Sequence, residues 1–103
     1  MIYSFKEGED MKKVNLGRYE YELIEDKEKC FNLAETTEKL TDYFDEFDYI
    51  FGDYAYDKLR LKGFNDKDNK NRKEINDIKH LDLYIEEYCA YGAKYFLLKK
   101  IKE

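Results

Sequence analysis

In GRYEYELIED, residues 17–26, Tyr19, Tyr21 and Leu23 fall on one side and Arg18, Glu20 and Glu22 on the other. A period of two marks a strand with one buried face. Val14 and Leu16 are expected to extend this strand backwards. The period then changes. In CFNLAETTEKLTDYFDEF, Leu33, Leu40, Phe44 and Phe47 recur at steps of seven, four and three, the spacing of a helix face. Asn32 followed by Glu35 has the form of a capping box, in which each side chain satisfies a free backbone N–H near the helix start. A helix is therefore expected over residues 33–45.

DYIF reads as the next strand, GDYAYD as a connection and KLRLKGF as a further strand. In the last of these, Leu59 and Leu61 face one way and Lys58, Arg60 and Lys62 the other. Two strands joined by a short link pair as an antiparallel hairpin. Residues 65–79, NDKDNKNRKEINDIK, are polar and aperiodic and are expected to form a loop. HLDLYIEEYCAYG carries an apolar stripe of Leu81, Tyr84, Ile85, Tyr88 and Cys89, with Gly92 placed to close the last helical turn in a left-handed conformation. KYFLLKKI is a strand with apolar residues on both faces. Residues 1–12 are expected to be a loosely held extension ahead of one domain over 13–103.

The order β-α-β-β-α-β predicts an α+β fold. Its expected form is a four-stranded antiparallel sheet with two helices on one face, the ferredoxin-like split βαβ arrangement. In that layout the 53–57 connection meets both helix–strand junctions at one edge. Asp53, Tyr54, Tyr56, Tyr91 and Gly92 then gather near residues 26–30, giving a rim of tyrosines and carboxylates suited to a partner protein. The competing role for those tyrosines is to cap the core, ring inward and hydroxyl outward. The opposite face of the sheet is expected to be open and to carry Arg60 and Lys62. With Phe64 these form the alternative, an RNA-binding surface whose KGF triplet matches only the start of a known RNA-recognition motif. Cross-strand pairing of Arg60 and Lys62 with Glu20 and Glu22 competes with that use.

Composition narrows the choice. The 103 residues include eleven tyrosines and seven phenylalanines, no proline and no tryptophan, and 42% are charged. Aromatic rings, each able to bury roughly 150–250 Å², distinguish this chain from a disordered polyelectrolyte. A net charge of −5 argues against a general nucleic-acid binder or an anionic-membrane ligand. With no membrane-length apolar run and no signal-peptide pattern, a cytoplasmic location with reduced Cys30 and Cys89 is expected. The layout brings these two thiols toward one edge. Two cysteines and one histidine, His80, make no metal set, and no cofactor is implied. Asp42, Asp45, Glu46 and Asp48 lack the alternation and glycine of a calcium loop. No nucleophile, acid and base stand at a catalytic spacing, so no enzymatic activity is expected.

FDYIFGDYAYDKLRLKGF, LYIEEYCAYGAKYFLLKKI and YEYELIEDKEKCFN together resemble the YutD-like family over residues 14–101. The resemblance implies a small cytoplasmic protein and carries no activity with it. The chain departs from the family pattern at Phe47, where the signature has tyrosine, at Tyr54, where it has tryptophan, and at Ala55, where it has glycine.

Overall fold

A computed structural model describes residues 12–101 of the chain. Strands Lys12–Leu16 (β1) and Tyr19–Asp26 (β2) form an antiparallel hairpin around Gly17 and Arg18. Gly17 lies at φ +60°, where only glycine is free of a side-chain penalty. The apolar phase shifts between Leu16 and Tyr19, where the chain folds back on itself, and β1 is a separate edge strand rather than an extension of β2. The loose extension expected for residues 1–12 lies outside the described residues, apart from Lys12, which opens β1.

Helix α1 is Leu33–Lys39 and ends earlier than expected. Leu40 turns extended, and a 3₁₀ turn follows at Asp42–Glu46. The Asn32 side chain accepts the Glu35 backbone N–H at 2.8 Å, the predicted cap. The Glu35 carboxylate does not complete the box, because it takes the Tyr54 hydroxyl instead. The break at Leu40 lets both Leu40 and Phe44 reach the core.

Strands Tyr49–Ala55 (β3) and Lys58–Phe64 (β4) pair antiparallel along their whole length, as the expected hairpin. Their connection is only Tyr56 and Asp57, so residues 52–55 belong to the strand. Helix Leu81–Tyr88 (α2) and strand Tyr95–Lys100 (β5) complete the fold. Helix α2 stops at Tyr88, with Cys89 already extended, so Gly92 serves a later turn rather than the helix end.

The sheet has five strands, not four, in the order β1-β2-β5-β3-β4, and every neighbouring pair is antiparallel. The ferredoxin-like arrangement is therefore not the one adopted, since the last strand inserts between β2 and β3. Nor do the helices share a face. Phe96, Leu97 and Leu98 are all fully buried. Successive strand residues point to opposite faces, so such a run needs cover on both. Phe96 and Leu98 pack with Tyr21, Ile50 and Leu59 on the side of Leu40 and Phe44, whereas Leu97 packs with Phe51, Phe64 and Leu81 of α2. One helix covers each face. No helix among the described residues is long and apolar enough to cross a membrane.

The polar segment 65–79 is held by its own side chains. Buried Asn65 donates its backbone N–H to Asn76 O at 2.7 Å and accepts from Ile78 N–H at 2.9 Å. Asp48 accepts from the Asp66 backbone N–H at 2.9 Å and from Asn69 Nδ2 at 3.1 Å. Asp77, also buried, accepts from Arg72 Nη1 at 3.1 Å and from the Lys79 backbone N–H at 3.0 Å. Asn and Asp side chains offer the backbone local partners in place of a ladder, which is why this segment is ordered without periodicity.

Burial alone pushes the Asp77 carboxyl up, but the Lys79 N–H, the Arg72 hydrogen bond and both cations outweigh it and hold its pKa below the ordinary value. A lowered folded-state pKa contributes stability that is present above the unfolded value and lost as pH falls through the folded one. Asp77→Asn is expected to flatten the acid limb of the stability curve below about pH 4, measured by urea unfolding across a pH series. A Cβ at Gly52 would lie 2.2 Å from Phe96 Cζ, inside the ring. Gly52→Ala is accordingly expected to cost about 3 kcal/mol, the upper end for overpacking, with partial recovery in the Gly52→Ala, Phe96→Leu double variant.

Candidate functional site

Strand β5 runs antiparallel between β2 and β3, so the end of β2, the β3–β4 turn and the α2–β5 junction meet at one edge. There a cleft of about 520 Å³ is lined by Cys30, Tyr54, Tyr56, Asp57, Gly92 and Lys94. Tyr56 is 99% exposed and Tyr91 fully exposed, so neither contributes to the core. Tyr54 is a tether. Its ring packs against the α1-side core and its hydroxyl donates to Glu35 Oε1 at 2.5 Å, with Cys30 O at 3.3 Å. Burial first, then the Glu35 carboxylate, pushes its pKa up.

The backbone of this edge is unusual. Glu28, Lys29, Tyr56 and Asp57 have φ of 55°, 54°, 53° and 63°, and Gly92 has 73°. Left-handed conformations cost a residue with a Cβ about 1–2 kcal/mol, Asn and Asp less. Tyr56 and Asp57 form a two-residue hairpin turn with both φ positive, where Asn-Gly is the favoured pair. Of these positions only Gly92 holds the residue its geometry prefers. The alternating pattern of the flanking strands gave no sign of this strain, since neither Tyr56 nor Lys29 is a turn residue by composition.

Asp53 is not on the rim. It is 1% exposed and points to the α2 face, where Arg60 Nε and Nη2 donate to its two oxygens at 3.2 and 2.5 Å. Arg60 also donates to Tyr88 O at 3.1 Å, closing the end of α2. The Cys89 thiol faces Asp53 and is pushed up to about 12, by burial first and by that carboxylate second. Such a thiol is not a thiolate nucleophile. Cys30 packs on the α1 face and Cys89 on the α2 face, so the edge does not bring the two thiols together as the sequence suggested.

The face expected to be open is covered by α2. Phe64 is 1% exposed within the α2-side core, Arg60 is engaged by Asp53 and Tyr88, and Lys62 lies over the Phe64 and Tyr84 rings. Arg60 and Lys62 do not meet Glu20 and Glu22, because β5 and β3 stand between β4 and β2. The partner of Arg60 is Asp53, directly opposite it in register. The described residues include no group of three or more His, Cys, Asp or Glu able to hold a metal ion.

Residues 15–99 match the family model described as "Putative antitoxin YutD-like". Over 84 residues the chain is 40% identical to "Putative antitoxin YutD" of Bacillus subtilis strain 168, covering 82% of this chain and 92% of that protein. The solution NMR structure of protein yutD from B. subtilis matches with a TM-score of 0.74 at 36% identity, over 94% of this chain and 88% of that one.

Removing Arg60 strands a buried carboxylate. Breaking a buried pair costs about 3–5 kcal/mol, less where one partner is half-exposed, so about 2 kcal/mol is expected for Arg60→Ala. The Asp53→Asn, Arg60→Ala double variant should lose less than the sum of the singles, as read from urea midpoints.

Proposed function

We propose that this chain, which belongs to the YutD-like family, is a protein-binding module that meets its partner through the strained tyrosine edge. One observation carries the reading. Left-handed Tyr56 and Asp57 line the cleft, left-handed Glu28 and Lys29 precede its Cys30 in sequence, and exposed Tyr91 precedes its Gly92. Backbone strain of this kind persists where the surroundings over-determine it and concentrates at functional sites. At Tyr56 the fold gains nothing from the ring that imposes the strain. Asn would suit the turn better, and the exposed aromatic surface buries no area within the chain. Exposed tyrosine does suit an interface, because it brings large contact area with few rotatable bonds and is enriched among the residues that dominate binding energy. The relative's name, "Putative antitoxin YutD", supports a protein as the partner class.

Lys27, over the Tyr95 ring at 5.3 Å, and Lys94 in the cleft lining add cations to this edge. A partner with acidic or aromatic groups fits those contacts best.

Strain and binding separate in one experiment. Tyr56→Asn is expected to raise stability by about 1 kcal/mol by relieving the turn, while weakening capture of the partner. Tyr91→Ala is expected to leave stability within about 0.5 kcal/mol and to weaken capture about tenfold. Urea unfolding reads the first quantity. Quantitative recovery of proteins on the immobilised chain reads the second, and an unchanged set on both variants overturns the reading.

A further inference from the structure

Strand β4 is the outermost strand of the sheet. Among the described residues, no backbone hydrogen bond engages Lys58–Gly63 beyond those to β3, so its outer N–H and C=O groups form an unpaired row. A cleft flanks this edge on each side. One, of about 610 Å³, lies on the α2 face between Phe64, Ile75, Leu83, Tyr84 and Tyr88. The other, of about 570 Å³, lies on the α1 face against Phe47 and Leu61 and under Lys70, Arg72 and Lys73. Ile75 is 76% exposed, and Leu83 and Tyr88 are also exposed, so apolar surface continues out of the first cleft.

Lys62 lines both clefts. Edge strands are commonly guarded by lysines that project over the edge. Lys62 folds back instead, with its ammonium 4.9 Å from the Phe64 ring and 5.5 Å from the Tyr84 ring. No carboxylate among the described residues forms an ion pair with it. The second cleft sets Lys62, Lys70, Arg72 and Lys73 against one acidic residue, Glu46, on a chain of net charge −5. Glu74 and Glu87 stand beside the first cleft, so the cationic character belongs to the second cleft and to Lys62.

We propose that the outer edge of β4 receives an extended, acidic segment of a partner protein as a sixth strand. Its apolar side chains point into the first cleft, and the acidic side chains that alternate with them face Lys62, Lys70 and Lys73 of the second. Alternation is what a strand laid on an edge must do, since successive side chains point to opposite faces. A second copy of this chain fits less well. Antiparallel self-pairing of KLRLKGF about its centre sets Lys62 of one copy against Arg60 of the other, and like charges opposite each other destabilise a sheet. Nucleic acid matches the charge but offers neither a backbone ladder nor side chains for the first cleft. This surface is distinct from the tyrosine edge, and its test does not depend on that edge.

The probe is a blocked synthetic decapeptide alternating Val or Phe with Glu or Asp, titrated into the ¹⁵N-labelled chain. Its control is the same peptide with Lys in place of the acids. The acidic peptide is expected to shift the amides of residues 58–63 and to slow their hydrogen exchange, and the Lys peptide is not. Lys62→Glu and Ile75→Asp are each expected to weaken binding about tenfold. Ile75 is an exposed residue, so its variant stays folded and keeps the test valid should Lys62→Glu fail to fold. No change in residues 58–63 at millimolar acidic peptide, or equal binding of the Lys peptide, overturns the proposal. So does concentration-dependent protection of β4 without peptide, which assigns the edge to a second copy. A tighter response to oligouridylate than to the acidic peptide assigns it to nucleic acid and overturns it equally.

Discussion

Three consecutive residues with no exposed surface, Phe96, Leu97 and Leu98, decide the architecture. Each contributes roughly 2–3 kcal/mol of hydrophobic stabilisation when fully buried, and a strand can bury all three only with a layer on each side. That requirement places β5 in the middle of the sheet and one helix over each face. It also explains why the helices exist. At seven and eight residues, α1 and α2 are far below the roughly 12–15 at which an isolated helix becomes marginal in water. Packing holds them in place, not propensity. Gly52 belongs to the same constraint, since the Phe96 ring occupies the space its side chain would fill.

A chain with 42% charged residues must also choose which charges to bury. Asp53 is buried opposite Arg60, Asp77 beneath Arg72 and Lys79, and Asp48 among Asn65, Asp66 and Asn69. Buried pairs add little net stability compared with apolar residues of the same size. What they add here is register. A one-residue slip of β4 against β3 would turn Asp53 away from Arg60 and expose Leu59 and Leu61 on the wrong face. The bidentate contact and the hydrophobic alternation specify the same pairing, and Arg60 extends it to the end of α2 through Tyr88 O.

The local half of this structure was legible in the sequence. The β3–β4 hairpin follows from the alternation of KLRLK and its short link, the Asn32 cap from the residue pair at the helix start, and the apolar stripe of α2, apart from exposed Tyr88, from its period. What failed was reading a polar face as an open one. Arg60 and Lys62 alternate with leucines, yet the chain covers that face by pairing one cation with Asp53 and laying the other along aromatic rings. Strand order failed for a related reason. The two-sided apolarity of KYFLLKKI was visible, but its consequence is a non-local insertion between β2 and β3 that no local pattern encodes. The tyrosine edge emerged where it was expected despite the wrong topology, because β5 remains antiparallel to both of its neighbours. Asp53 was misplaced, turned by strand alternation to the opposite face, and Cys30 and Cys89 lie on opposite faces.

The two edges of the sheet are treated differently, and the contrast bears on function. Strand β1, Lys12–Leu16 among the described residues, carries exposed Lys12, Lys13 and Asn15 and leads into a turn whose left-handed residue is a glycine. These are the ordinary protections of an edge. Strand β4 keeps Lys58 exposed but has Lys62 drawn off the edge onto aromatic rings, and it begins at a turn with Tyr56 and Asp57 both left-handed. The same chain therefore folds one edge with an unstrained turn and leaves the other strained at its tip and, among the described residues, unpaired over Lys58–Gly63. Folding does not force that asymmetry. Asparagine and glycine in the β3–β4 turn and an outward lysine at position 62 would satisfy the sheet at least as well. The hairpin that departs most from what the isolated fold favours is thus the one that carries both proposed contact surfaces.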